Sequence, residues 1–184
     1  LAVITAFVLP PRRPSDNMSM GWDLPQEDEF ALCNLGLPSP YAMIAFPNRL
    51  PQFGRYLELD DLSDPERRRW KSVLMTFLKQ LVCRRPGRIV LKSPTHTFRL
   101  PVLCEMFPKS HFVHLVRDPY TVFMSTVRLW KSLFTTHGYQ KPTWEGLEEY
   151  VFDTFSRMHR RLEATRGLVD PRRFHELRYE DLVS

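Results

Sequence analysis

The segment RIVLKSPTHTFRLPVLCEMFPKSHFVHLVRDP, residues 88–119, runs from an apolar stretch through a polar break and a helix-spaced stretch to a second apolar run ending in charge. Residues 88–92 read as a short buried strand, rich in the Ile, Val and Leu that suit a pleated surface. Residues 97–107 have helical spacing with Pro101 in the first turns, where a missing N–H is tolerated. Residues 112–116 read as a second strand. The expected unit is β-α-β, which is parallel, right-handed and covered by helices, so an α/β fold with a central parallel sheet flanked by helices follows.

The flanks fit that architecture. Ser63 and Glu66 form an S-x-x-E capping box ahead of Trp70, Val73, Leu74, Phe77, Leu78, Leu81 and Val82, which recur at three- and four-residue steps. That apolar face is expected to pack on a sheet, and Pro86-Gly87 ends the helix. A short helix is predicted near Pro25, with Glu27, Asp28 and Glu29 at the positive end of its dipole. Pro38, Pro40, Pro47 and Pro51 make residues 36–62 read as irregular. Beyond the central unit, a helix starts at Asp118-Pro119 and another spans about residues 144–166, its face formed by Leu147, Tyr150, Val151, Met158 and Leu162. Residues 174–178 read as a further strand. Residues 1–9 read as the end of a buried element, followed by a basic, Pro-rich loop at 10–14.

Composition sets the broad class. The chain has 184 residues, which fits one domain over residues 1–184. Its 16 prolines predict long loops, and 26 Lys and Arg against 21 Asp and Glu give a modest positive excess compatible with an anionic ligand. Cys33, Cys83 and Cys104 are odd in number and widely spaced, so a reducing, cytoplasmic setting is expected instead of a disulfide framework or a zinc knuckle. The longest apolar run, residues 1–9, falls well short of the roughly 20 residues of a membrane span. The chain opens on Leu1 and stops at Ser184 directly after an apparent strand and turn, so both ends read as cut from a longer chain.

The chemistry sits where strands end. Lys92-Ser93-Pro94-Thr95-His96 follows the first strand and Arg117-Asp118 the second, and in a parallel sheet both ends share one edge, where α/β folds bind ligands. Asp118 and Pro119 suit a helix start, and Ser125 lies about two turns further on. An anion there would meet a guanidinium fork, helix-terminal N–H groups and a hydroxyl. The remaining histidines, His111, His114, His137, His159 and His175, lack metal-ligand spacing, so no metal is expected.

Residues 113–119, Val-His-Leu-Val-Arg-Asp-Pro, followed by Ser125, resemble the 3′-phosphate-binding motif of sulfotransferases, in which an Arg at a strand end and a Ser eight residues later grip the donor nucleotide. Residues 89–96 resemble that family's strand ending in a catalytic Lys. Pro25-Gln26-Glu27-Asp28-Glu29-Phe30 resembles a segment of bacterial members related to the tyrosylprotein type, and residues 178–182 resemble a late strand-turn motif. The resemblance implies a P-loop-like three-layer fold, incomplete at the N-terminus, because no P-R-S-G-T-T loop for the 5′-phosphosulfate occurs in the chain. It further implies transfer of a sulfuryl group from 3′-phosphoadenosine 5′-phosphosulfate to a hydroxyl or amine, with Lys92, Arg117 and Ser125 binding the donor. Lys92 would steady the leaving oxygen, and the base is Glu27 or His96. Cytosolic members carry a His two residues after the Lys; here that position is Pro94, and His96 lies two further on. As a fragment, the chain is expected to be poorly active.

Two rival readings have their own sequence requirements. A kinase-like or non-catalytic P-loop nucleotide binder needs a Walker Lys-Ser/Thr loop, and for catalysis magnesium carboxylates, which the Arg117 to Ser125 spacing does not indicate. A nucleic-acid-binding module needs clustered Lys and Arg with aromatics, whereas the basic residues here are scattered. No motif specifies the acceptor or the oligomeric state.

Overall fold

The computed structural model describes Arg12, Gly21, Leu24 and residues 26–183. The element expected at residues 1–9, the loop at 10–14 apart from Arg12, and Pro25 lie outside the described residues. Seven α-helices and two strands are described, in the order α1 (Asp28–Asn34), α2 (Arg55–Glu58), α3 (Asp64–Arg84), α4 (Leu100–Met106), β1 (Phe112–Val116), α5 (Pro119–His137), α6 (Leu147–Thr165), β2 (Phe174–Arg178) and α7 (Tyr179–Val183). Short 3-10 turns at Pro40–Ile44, Pro94–Thr97, Arg166–Leu168 and Pro171–Arg173 join them. The result is a mixed helix and strand fold.

The sheet is a parallel pair, β1 beside β2, with Phe112 opposite Phe174 and Val116 opposite Arg178. Both expected strands at 112–116 and 174–178 form where the sequence puts them. The strand expected at 88–92 does not. Those residues carry no strand pairing, and Val90 is 87% exposed. A β-branched run becomes a strand only when a neighbour takes up its backbone groups, and no described residue does so for 88–92. Coverage is also one-sided among the described residues, since Val113 (58% exposed), Leu115 and Leu177 are exposed while Phe112 packs inward against Leu100, Leu162, Val169 and Phe174.

Helix α3 begins as the capping box predicts, with the Glu66 carboxylate accepting hydrogen bonds from the Ser63 N–H (3.0 Å) and hydroxyl (2.8 Å). Its apolar face, however, packs mainly on helices and loops: Trp70 and Leu74 share a core with Leu32, Leu37, Tyr56, Leu59, Leu62, Val102 and Leu103. Leu81 and Val82, at the far end of that face, are exposed. The stretch at 36–62 is more ordered than its prolines imply, because Pro40 starts a 3-10 turn capped by Ser39, whose hydroxyl accepts from the Tyr41 N–H. That turn buries Met43 against Val127, Phe134, Leu147 and Val151, which ties it to α5 and α6.

Two local features fix the entry to the site. Helix α1 ends in a left-handed Gly36 (φ 83°), whose N–H reaches the Cys33 carbonyl while the Leu37 N–H reaches that of Leu32. This C-terminal motif turns the chain back over the helix and needs the freedom of glycine. At the other end, Pro94 and Pro101 punctuate the connection so that residues 94–97 form a 3-10 turn and α4 follows only from Leu100. Among the described residues no helix is long and apolar enough to cross a membrane.

Candidate active site

The three consecutive acids at the start of α1 each take a partner from residues 92–99. Successive residues near a helix start fan out by about 100°, so neighbouring carboxylates reach different points, and the turn at 94–97 presents partners at the matching spacing. Glu27 Oε1 lies 2.5 Å from Lys92 Nζ. Asp28 Oδ1 accepts from the Ser93 hydroxyl at 3.0 Å, and its Oδ2 lies 2.8 Å from His96 Nε2. Glu29 receives Arg99 Nη1 at 2.5 Å and Nη2 at 3.2 Å, together with the hydroxyls of Ser39 (2.5 Å) and Thr95 (3.0 Å). The Glu29 N–H donates in turn to the Ser93 hydroxyl.

The innermost rung is dry. Arg99 is 0% exposed and Glu29 2%. The remaining donors of Arg99 go to the Tyr56 carbonyl at 2.6 and 3.2 Å, and its guanidinium lies 5.0 Å from the centre of the Trp70 ring. Burial by itself pushes the Glu29 carboxyl up. The Arg99 charge and the hydrogen bonds from Arg99, Ser39 and Thr95 outweigh it and hold the group below its ordinary range. Asp28 follows the same pattern, burial being overcome by His96 and the Ser93 hydroxyl. Both ring nitrogens of His96 are sheltered from solvent, with Nε2 beside Asp28.

The outermost rung opens to solvent. The Lys92 side chain is 75% exposed and that of Glu27 only partly so. The second carboxylate oxygen of Glu27 accepts from the Tyr41 phenol at 2.8 Å. Burial, and then the Glu27 charge, push the ionisation of that phenol far up, so it stays a donor. The Tyr41 ring packs 5.2 Å from Phe30 and edge-on, 6.1 Å, from Trp130 of α5.

A second region lies at the carboxyl ends of β1 and β2, and Lys92, expected on the same edge, is not among the residues that line it. Val116, Arg117, Asp118, Pro119, Arg178 and Glu180 line an open hollow of about 280 Å³. The Arg117 guanidinium stacks 4.6 Å over the Tyr179 ring and is exposed. Asp118 caps α5, its Oδ1 accepting from both the N–H and the hydroxyl of Thr121 at 2.7 Å, and those bonds hold its carboxyl below the ordinary range. Two turns along, the Ser125 hydroxyl donates to the Val122 carbonyl at 3.0 Å.

Of the five residues singled out by sequence, Glu27, Lys92 and His96 therefore share one ladder, while Arg117 and Ser125 belong to the hollow and to the helix that starts there. Trp130 and Lys131, further along that helix, contact Tyr41 and Glu148 respectively. Sequence reasoning missed Asp28, Arg99 and Tyr41. A readable signal existed for Arg99, a charge set seven residues after Lys92 at the head of an apolar helix; Tyr41 carried none beyond its place in Ser39-Pro40-Tyr41. Among the described residues no group of three or more His, Cys, Asp or Glu stands ready to hold a metal.

Comparison with known proteins agrees with the motifs. A model of the sulfotransferase family matches residues 36–184, a range that includes Lys92, His96, Arg117 and Ser125. Two curated proteins, the omega-hydroxy-beta-dihydromenaquinone-9 sulfotransferases of Mycobacterium bovis and Mycobacterium tuberculosis, are each 49% identical over 177 residues. That match takes in 96% of this chain and 46% of each relative, so the chain spans about half the length of the curated relatives it matches. No solved structure matches. With a family model covering most of its length and the Arg117 to Ser125 spacing at the head of α5, the chain belongs to the sulfotransferase family.

Proposed function

We propose that residues 1–184 are part of a single three-layer, P-loop-like domain that transfers a sulfuryl group from 3′-phosphoadenosine 5′-phosphosulfate to a hydroxyl. The observation that carries this reading is the 2.5 Å pairing of Glu27 with Lys92, a carboxylate beside an exposed cation at a partly open surface. The acceptor oxygen attacks sulfur and gives its proton to Glu27. The bond from sulfur to the 5′-phosphate oxygen breaks with its electron pair left on the phosphate, and Lys92 steadies that charge.

Arg117 and Ser125 would hold the 3′-phosphate. The exposed guanidinium and the start of α5 support this role for the hollow. Glu27 is the better base than His96, whose ring nitrogens are withdrawn from solvent beside Asp28. The names of the two relatives refer to an omega-hydroxy acceptor, and at 49% identity the same class, a primary hydroxyl on an apolar chain, is our choice here. The test is transfer of labelled sulfate by the full natural chain. Lys92→Ala should lower kcat by at least about 100-fold, the scale of losing one preorganised charge contact. Wild-type rates in that variant, or turnover with ATP in place of the sulfate donor, would reject the reading.

A further inference from the structure

We infer that Tyr41 is a positioning residue for sulfuryl transfer, its phenol fixing the carboxylate of Glu27 so that one oxygen faces Lys92 and the acceptor. This rests on the reading of Glu27 as the base. A glutamate held by Lys92 alone would be poorly placed, because Lys is a point charge on a flexible stem and this one is 75% exposed. Tyr41 supplies what Lys92 cannot. Its hydroxyl donates to Glu27 Oε2 at 2.8 Å, leaving Oε1 to the Lys92 side.

The phenol is anchored on three sides. The Tyr41 N–H donates to the Ser39 hydroxyl at 3.2 Å, and that hydroxyl donates to Glu29 Oε1 at 2.5 Å. Tyr41 is thereby tied to the buried Glu29–Arg99 pair. Its ring is packed by Phe30, three residues after Glu27 on α1, and by Trp130 of α5. Helix α5 starts at the hollow that holds Arg117. Tyr41 is thus a contact through which the rigid ladder and the nucleotide-side helix both bear on the base.

Among the described residues, the neighbouring charges of these elements have partners of their own. On α1, Asp28 faces His96 and Glu29 faces Arg99; from residues 92–99 only Lys92 reaches Glu27; on α5, Lys131 pairs with Glu148.

The experiment compares wild type, Tyr41→Phe, and Tyr41→3-fluorotyrosine in the full natural chain, with kcat and the donor KM measured and thermal unfolding as a check on folding. Tyr41→Phe should lower kcat by about 10-fold and leave the donor KM within about two-fold, the scale of one charge-assisted hydrogen bond. The fluorinated phenol, which keeps the donor on nearly the same shape, should hold kcat within about two-fold of wild type. A loss confined to the variant without the hydroxyl cannot come from lost packing, because Phe keeps the ring. A kcat in Tyr41→Phe within about two-fold of wild type, or an equal loss in both variants, overturns the inference; should the Phe variant not fold, a loss of about 10-fold with the fluorinated phenol, one hydrogen bond's worth, overturns it alone. Glu27→Gln separates the layers. If it abolishes turnover while kcat is unchanged in Tyr41→Phe, only the role of Tyr41 falls; if it turns over like wild type, the base assignment fails and this inference fails with it.

Discussion

The ladder joining residues 27–29 to 92–99 and the hollow around Arg117 are both built from charges, yet they are built in opposite ways. In the ladder, charge is removed from water step by step, from the exposed Lys92 to an Arg99 with no exposure at all. In the hollow, Arg117 stays in water, steered by the Tyr179 ring and a helix start. A buried ion pair gains nothing from binding a ligand and serves to fix geometry, whereas an exposed guanidinium is free to exchange water for phosphate. The contrast matches the proposed division between a part of the site that positions and a part that binds.

The largest expected effect tests the positioning half. Arg99→Ala strands the Glu29 carboxylate in the core and frees the Tyr56 carbonyl, so urea unfolding should lose about 3–5 kcal/mol, the cost of breaking a buried pair by removing one partner. A loss under about 1 kcal/mol would show that Arg99 is not the anchor of the ladder. Acid gives the next effect. Folding lowers the Asp28 and Glu29 carboxyls below their ordinary values of 3.8 and 4.5, so the stability they contribute is complete above those values and drains away as pH falls through the depressed ones. Unfolding midpoints measured from pH 6 down to about pH 3 should decline, and the decline should be shallower in Glu29→Gln. A profile of equal slope in both proteins would deny Glu29 its share. The smallest effect is expected in the hollow, where Arg117→Ala should change stability by no more than about 0.5 kcal/mol, as for an exposed side chain.

The same contrast explains what the sequence conveyed. Local signals were legible: the Ser63–Glu66 box, the Asp118 cap on α5, the strands at 112–116 and 174–178, and the helix faces of α3 and α6 all depend on neighbours within a few residues. The strand expected at 88–92 failed because strand formation needs a partner that local pattern cannot specify. Arg117 and Ser125 could be singled out as candidates because their eight-residue spacing spans the start and first two turns of one helix. Arg99, Asp28 and Tyr41 were not, since each owes its role to a partner between 14 and 70 residues away. Glu27 and Lys92 were singled out, but not their pairing across 65 residues.

In the proposed division of labour, the hollow at the head of α5 binds the nucleotide while the ladder orients the chemistry. Calorimetric titration of the full natural chain with adenosine 3′,5′-bisphosphate addresses it most directly. Arg117→Ala should weaken binding by about 30-fold or more, equivalent to about 2 kcal/mol for a charge-assisted contact, while Glu27→Gln leaves the affinity within about two-fold of wild type. Equal affinity in wild type and Arg117→Ala would contradict the account.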